Sequence, residues 1–416
     1  MQFLNQLPSQ YRLERFPKSR DPSLRAYNAA DELVVQHLNE LSVPYSANTL
    51  IINDQFGALA VSLHQYKLTY WVDSYLSDRA IELNLLNNLS SCKNISNWRI
   101  NSTTAHLKSV ASIESNAIES FSKSEESKKS YESECQKTTN NSQTFDLVII
   151  RIPKHNSLLE FQLHQLKPYI NTRTIIIGTG MTKEIHNSNL KLFETIIGPT
   201  KTSLATKKAR LIFSEYQPGK LSYNPLKSYY LTEEELTIFG LPGVFSRNQL
   251  DIGTKVLLPY LPQLSKSDRL LDLGCGNGVL GAVMAKRFPQ AEILLTDESA
   301  LAIQSAELTF TKNQLTNGLF FHTNITDKIA NQRVTHVVCN PPFHQQNVQT
   351  LTIAQNMFQS AAQILSADGK LLVVANRHLK YQPMLCKYFK QVKILSADRQ
   401  FSVWLAQQPK FKPKSG

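Results

Sequence analysis

Cysteine is scarce in this chain. The five residues Cys92, Cys135, Cys275, Cys339 and Cys386 lie far apart among 416 positions, with no CxxC pair. Such spacing excludes a structural zinc site and a disulfide framework, no metal is expected, and a reducing cytoplasm is the expected setting. No run of eighteen apolar residues occurs, so no membrane helix is expected. The opening Met1-Gln2-Phe3-Leu4-Asn5 has neither the basic and apolar regions of a secretion signal nor an Arg-rich transit pattern. Acid is also in deficit, with 33 Asp and Glu against 45 Lys and Arg and a formal net charge of +12. A protein confined to small metabolites has no need of that excess, whereas a polyanionic partner accounts for it. The basic residues cluster in Arg12–Arg25, in Lys201, Lys207, Lys208 and Arg210, and in Lys410, Lys412 and Lys414. For any one cluster, plain solvated surface is the competing reading.

The length suits two domains, and an apolar content of 42% supports packed cores. The second half alternates short apolar runs with helical patterns, which predicts a doubly wound α/β sheet. Strands are expected at 269–273, 292–296, 319–322, 336–339, 370–375, 391–396 and 401–406. Helices are expected at 278–288, 300–313 and 353–364. Asp368-Gly369 reads as the turn into the fifth strand. The last two strands are so close in sequence that they must form a hairpin, giving a seven-stranded sheet that ends antiparallel.

The first half repeats this plan without its chemistry. Thr49–Asn53 followed by Phe56-Gly57-Ala58-Leu59 copies strand, glycine turn and helix, with Gly57 at the place of Gly278. Tyr70-Trp71-Val72-Asp73-Ser74 parallels Leu295-Thr296-Asp297-Glu298-Ser299, and Val148–Pro153 parallels Val337–Pro342. Two Rossmann-like domains are therefore expected, 1–215 and 216–416, the first degenerate. A polar insertion at about 90–144 reads as a mobile loop, and 214–243 as a linker plus a hairpin opening the second domain.

Two motifs in the second half carry chemistry. Leu271-Asp272-Leu273-Gly274-Cys275-Gly276-Asn277-Gly278 follows a strand with G-x-G-x-G spacing, not the G-x-G-x-x-G that cradles a pyrophosphate. Its glycines allow backbone to approach the methionyl part of an adenosyl sulfonium cofactor. Asp272 is placed for the cofactor's amino end, Asp297 for its ribose hydroxyls, and Asn324 for its adenine. Helix capping is the alternative for Asp297 and a simple turn for Asn324. Asn340-Pro341-Pro342-Phe343 ends a later strand. An exocyclic amino nitrogen is a poor nucleophile because its lone pair is delocalised into the ring. The Asn340 side-chain oxygen and the Pro341 carbonyl can accept its two hydrogens and turn the lone pair towards a methyl group. Successive prolines stiffen that backbone, and Pro342 offers no competing N–H. Phe343 presents a face on which a base or amide can stack. His344, Arg377 and His378 follow at the same edge of the sheet and are candidates for phosphate or base, as are Lys207, Lys208 and Arg210 in the first half; surface is the competing reading. Asp251 reads either as part of a helix covering the cofactor or as a plain helix N-terminal acid.

Val244-Phe245-Ser246-Arg247, Leu250–Gly253, the Asp272–Gly278 loop and Cys339–Gln346 together resemble the bacterial ribosomal RNA guanine-N2 methyltransferases. Asn53–Leu59 and Ala375-Asn376-Arg377-His378-Leu379 are most similar to the large-subunit group, methyltransferase G, and less so to the small-subunit group, methyltransferase C. The resemblance covers nearly all the chain except the polar insertion, which departs from the pattern. It implies S-adenosylmethionine as donor, one guanine of 23S ribosomal RNA as acceptor, and RNA binding or support as the role of the first copy. Because flipping a base is cheapest in single strands and loops, naked or partly assembled RNA is the expected acceptor. Neither a membrane nor an obligate protein partner is expected. A 16S guanine-N2 methyltransferase, a protein glutamine N-methyltransferase and a non-catalytic RNA-binding module remain the alternatives.

Overall fold

The structure, a computed structural model, describes residues 4–18, 21, 23–89, 101–102, 144–219, 222–342, 348–379 and 381–411. The expected insertion at 90–144 falls outside these residues, except for Asn101–Ser102 and Thr144. The chain forms two compact units, Met1–Asn224 and Pro225–Gly416.

Unit 2 holds a seven-stranded sheet. Its strands are β10 (Arg269–Leu273), β11 (Glu292–Asp297), β12 (Gly318–His322), β13 (Val334–Cys339), β14 (Leu365–Asn376), β15 (Phe389–Ala397) and β16 (Phe401–Pro409). The order is β12-β11-β10-β13-β14-β16-β15. The five strands from β12 to β14 run parallel, and β16 closes antiparallel to both β14 and β15. Central strands are apolar on both faces because helices cover both faces of a parallel sheet. Ile293, Leu294, Leu295, Val337, Val338, Leu371 and Val373 are accordingly buried. The helix Val279–Arg287 is buried through its first seven residues. The helix Ala300–Lys312 begins where the Ser299 hydroxyl accepts from Ala302 N at 3.1 Å, which satisfies a free N–H of its first turn.

One expected turn is corrected. Asp368-Gly369 lies inside the continuous strand β14, where the pairing with β13 jumps from Val334↔Leu365 to His336↔Lys370. The extra residues are absorbed as a bulge, a common use of glycine within a strand.

Ahead of this sheet, β8 (Lys227–Leu231) and β9 (Leu236–Gly240) form a separate antiparallel hairpin. Polar groups tie it to the helix Ala300–Lys312. Asn313 Oδ1 accepts from Thr237 N, Thr309 Oγ1 from Phe239 N and Ser305 Oγ from Leu241 N, each at 3.0 Å.

Unit 1 repeats the topology. Its strands are β1 (Asn48–Ile52), β2 (Lys67–Trp71), β3 (Asn101–Ser102), β4 (Leu147–Arg151), β5 (Ile175–Met181), β6 (Thr200–Thr202) and β7 (Ala209–Ser214), in the order β3-β2-β1-β4-β5-β7-β6. This is the unit 2 arrangement strand for strand. The glycine turns match as well. Gly278 has φ 75° and a Cβ there would meet Ala306 Cβ at 2.7 Å; Gly57 has φ 80° and a Cβ would meet Ile81 Cα at 2.9 Å. Both positions need a left-handed residue and bare backbone against the neighbouring helix, so only glycine fits.

Candidate active site

The site forms at the carboxyl ends of β10, β11 and β13, where ligands collect in open α/β sheets. Gly274, Gly276 and Gly278 all take positive φ (73°, 54° and 75°), so the loop coils tightly over the end of β10. Gly274 N and Cys275 N donate to Thr296 O at 2.9 and 3.0 Å, which fastens the loop to β11. Asp297 Oδ2 accepts from Gly276 N at 2.9 Å, and Oδ1 accepts from Ser299 N at 2.9 Å. Asp297 thus stands beside the glycine loop and accepts from the N-cap residue Ser299, whose own hydroxyl caps the following helix.

Asp272 lies beneath the loop. It is 1% exposed, and its Oδ2 accepts from Gly281 N at 2.8 Å. Burial pushes its pKa up to about 7; the Gly281 N–H opposes this shift and the Asp297 charge adds to it. Burial likewise raises the Cys275 thiol pKa, with Asp297 and Asp272 reinforcing the shift. Asn324 follows β12, and its Nδ2 donates to Asp327 Oδ2 at 3.1 Å in a turn.

Pairing of Leu273 with Cys339 brings Asn340 alongside the start of the glycine loop. The Asn340 amide is held from one side only. Its Nδ2 donates to Asp251 Oδ2 at 3.0 Å and to Thr254 Oγ1 at 2.8 Å. Asp251 is the N-cap of the helix Ile252–Leu257, and the same Oδ2 accepts from Thr254 N at 2.9 Å. An acidic oxygen fixes which way the amide faces, since a flipped amide would put Oδ1 against a carboxylate. The Asn340 Oδ1 that results is buried and has no hydrogen-bond partner among the described residues. An unsatisfied buried acceptor is costly and asks for a donor. Pro341 is buried and Pro342 exposed. Phe343 and His344 lie outside the described residues.

Two further groups sit over the loop. Asn277 Nδ2 donates to the Tyr229 hydroxyl at 3.3 Å and to Ser246 O at 3.1 Å, so β8 and the segment after β9 pin the loop from outside. Burial raises the Tyr229 hydroxyl to about 12, which keeps it protonated. Beyond β14, Arg377 N donates to Gln400 O at 2.8 Å and Arg377 Nη1 to Asp398 O at 3.0 Å. Arg377 and His378 are exposed at the sheet edge next to the turn between β15 and β16. Lys207, Lys208 and Arg210 belong to unit 1, at the turn between β6 and β7. Thr254, Tyr229 and Asn277 escape sequence reasoning. Only Asp251, three residues before Thr254 at a helix start, carries a local signal.

The corresponding position in unit 1 is closed. Arg151 follows the residue paired with the end of β1, as Asn340 follows the residue paired with the end of β10. Its guanidinium forms an ion pair with Asp31, and both are buried at 7% and 0% exposure. Asp31 is the third residue of the helix Ala29–Leu41, as Thr254 is of Ile252–Leu257. An arginine there has no acceptor to offer an amino group.

The three positive-φ glycines at the end of β10 put bare backbone next to the strand end that carries Asn340, and these groups fit S-adenosylmethionine. Among the described residues no cluster of metal-binding side chains occurs, and no helix is long and apolar enough to cross a membrane.

Comparison with known proteins agrees with this geometry. Residues 235–405 match the methyltransferase small domain, and residues 1–113 and 101–218 match the RLMG N-terminal domain. The chain is 35% identical to the ribosomal RNA large subunit methyltransferase G of Streptomyces coelicolor, covering 94% of this chain and 96% of that one. It is 36% identical to the protein of the same name from Alteromonas mediterranea, covering 95% and 96%. A solved T. thermophilus 16S rRNA N2 methyltransferase, in complex with AdoMet and guanosine, shares the fold with a TM-score of 0.67 at 18% identity, over 88% of this chain and 89% of that one. With such identity along almost its whole length, the chain belongs to the ribosomal RNA large subunit methyltransferase G family.

Proposed function

We propose that unit 2 transfers a methyl group from S-adenosylmethionine to the exocyclic N2 of one guanine in 23S ribosomal RNA, and that Asn340 orients that nitrogen. The observation that carries the reading is the Asn340 Oδ1, buried, without a partner among the described residues and fixed in direction by Asp251 and Thr254. When bound, S-adenosylmethionine supplies an electrophilic methyl on a sulfonium and leaves as a neutral thioether once the N–C bond forms. The residues of the chain do the rest. Asn340 Oδ1 and the Pro341 carbonyl accept the two amino hydrogens, which draws the N2 lone pair out of conjugation and aims it at the methyl carbon. N2 then sheds one proton to solvent, so alignment matters more than a strong base. Gly274, Gly276 and Gly278 bring backbone close to the methionyl portion, and Asp297 is the residue for the ribose hydroxyls. Asn324 is placed for the adenine, Phe343 for stacking on the guanine, and Arg377, His378 and His344 for nearby phosphate or base.

A guanine within a duplex must leave the stack to reach such a site, at a cost of a few kcal/mol that is least in single strands and loops. Naked or partly assembled 23S RNA is therefore the better substrate. The degenerate unit 1 serves RNA binding or support, the protein works in the cytoplasm, and no other protein is needed for the reaction.

Labelled methyl transfer to protein-free ribosomal RNA tests the assignment. Asn340→Ala is expected to lower turnover about a hundredfold or more, comparable to loss of one preorganised polar group at a reaction centre. S-adenosylmethionine affinity should stay within a few-fold of normal. Wild-type turnover in that variant would remove Asn340 from the reaction.

A further inference from the structure

The turn between β6 and β7 in unit 1 gathers several features that cost stability. Thr206 N donates to Ala209 O at 2.9 Å and Ala209 N to Thr206 O at 2.8 Å, which leaves a two-residue loop, Lys207-Lys208. Both lysines are left-handed, with φ 49° and 63°. Two-residue hairpin loops of this form favour Asn-Gly, because side chains resist positive φ at both positions. Here two long cations occupy them side by side. Lys207 Nζ lies 4.0 Å from Glu32, at the limit of an ion pair, and among the described residues Lys208 has no ion pair. Leu204, on the arm of the same hairpin, is 89% exposed. Arg210 adds a third cation, its Nε buried without a hydrogen-bond partner among the described residues. Strained, unshielded residues of this kind persist where they serve a contact outside the fold.

The position of the turn matters too. Met181, the last residue of β5, pairs with Ala209, so the turn projects beyond the carboxyl ends of the parallel strands. In unit 2 the same edge carries the glycine loop and Asn340, and the equivalent turn is Asp398-Arg399-Gln400. That turn is relaxed, since Asp398 Oδ1 accepts from Gln400 N at 2.7 Å and Phe401 N at 2.6 Å. Both copies therefore carry a basic residue at the same tip, but only unit 1 departs from favourable turn chemistry to place two.

We propose that the β6–β7 hairpin of unit 1 is an RNA-contacting wedge. Lys207 and Lys208 neutralise adjacent phosphates while Leu204 packs against an unstacked base. Lysines contribute the salt-dependent, sequence-independent part of binding, and an exposed aliphatic side chain beside them supplies the apolar contact that architectural proteins use at opened base steps. This inference rests on the RNA-methyltransferase reading, but it is tested by binding alone, without turnover.

The full-length protein and protein-free 23S RNA suffice, with affinity measured over a series of potassium chloride concentrations. Lys207→Ala/Lys208→Ala should flatten the slope of log affinity against log salt by about 1.4 to 1.8, the loss of two phosphate contacts. Leu204→Ser should weaken binding several-fold at every salt concentration and leave the slope unchanged. Lys207→Asn/Lys208→Gly separates function from folding, because it installs the favoured turn. Its melting temperature should rise while RNA affinity falls. S-adenosylmethionine affinity should be unaffected in all three. The proposal is overturned if the slope is unchanged in the double alanine variant. It is equally overturned if the Asn-Gly variant is stabilised with full RNA affinity, or if these variants lose binding only to protein-bearing ribosomal particles, which would make the partner a protein.

Discussion

At the scale of single residues, the site depends on polar groups whose partners are incomplete. Among the described residues Asn340 Oδ1 has no partner, and the buried Asp272 carboxyl accepts from one N–H, that of Gly281. Asp272 carries a consequence for stability. An ordinary aspartate ionises near pH 3.9, whereas burial holds Asp272 to about 7 in the folded state. Below about pH 4 the group is protonated in both states and contributes nothing. As pH rises towards 7 the unfolded chain releases this proton while the folded chain keeps it, so stability falls across that window. Above it the full penalty persists, at most on the order of 4 kcal/mol. Denaturant unfolding of wild type and Asp272→Asn between pH 5 and 8 measures this. The wild type should lose stability more steeply with pH than the variant, and identical slopes would rule the effect out. Asp54 in unit 1, pushed up to about 6 by burial, adds a change of the same sign that both proteins share.

At the scale of elements, the proposed reaction centre is a junction between a helix start and a strand end. The carboxylate that caps the helix Ile252–Leu257 also orients the amide that follows β13. In the proposed reaction Asp251 and Thr254 are positioning residues. Asp251→Asn keeps a capping side chain but removes the charge that forbids the flipped amide, so the Asn340 oxygen is no longer directed. Steady-state kinetics should show kcat reduced about tenfold or more, consistent with loss of alignment, with the KM for S-adenosylmethionine little changed. A rise in that KM alone would make Asp251 a cofactor residue instead. Sequence reasoning finds the glycine loop, the Asn-Pro-Pro end of β13 and the closing hairpin, because each is written in a few adjacent residues. It does not find the Asp251–Asn340 bond, which joins positions 89 apart in sequence, or the Arg151–Asp31 pair, 120 apart. Such contacts exist only after the sheet has assembled and leave no local pattern. Asp368-Gly369 fails for the opposite reason: its turn chemistry is genuine, but the neighbouring strand absorbs it as a bulge.

At the scale of the whole molecule, two copies of one topology have diverged in chemistry. In unit 2 the strand end offers an acceptor from a directed amide; in unit 1 the same place is sealed by a buried ion pair. The repeated strand order is legible in the sequence because strand, glycine turn and helix recur in register. The proposal that unit 2 is the working copy is already legible from Asn340 against Arg151. How the other copy was closed is not, since Asp31 gives no sign in isolation that it will meet an arginine. The basic excess of the chain fits a polyanionic substrate, and membership of the large-subunit family makes that substrate ribosomal RNA. The most direct measurement is mass mapping of N2-methylguanine in ribosomal RNA from cells with and without this gene, complemented by wild type or by Asn340→Ala. One 23S guanine should lose its N2 methyl group without the gene, regain it with wild type and fail to regain it with the variant. An unchanged 23S pattern, or a loss confined to 16S RNA, would contradict the account.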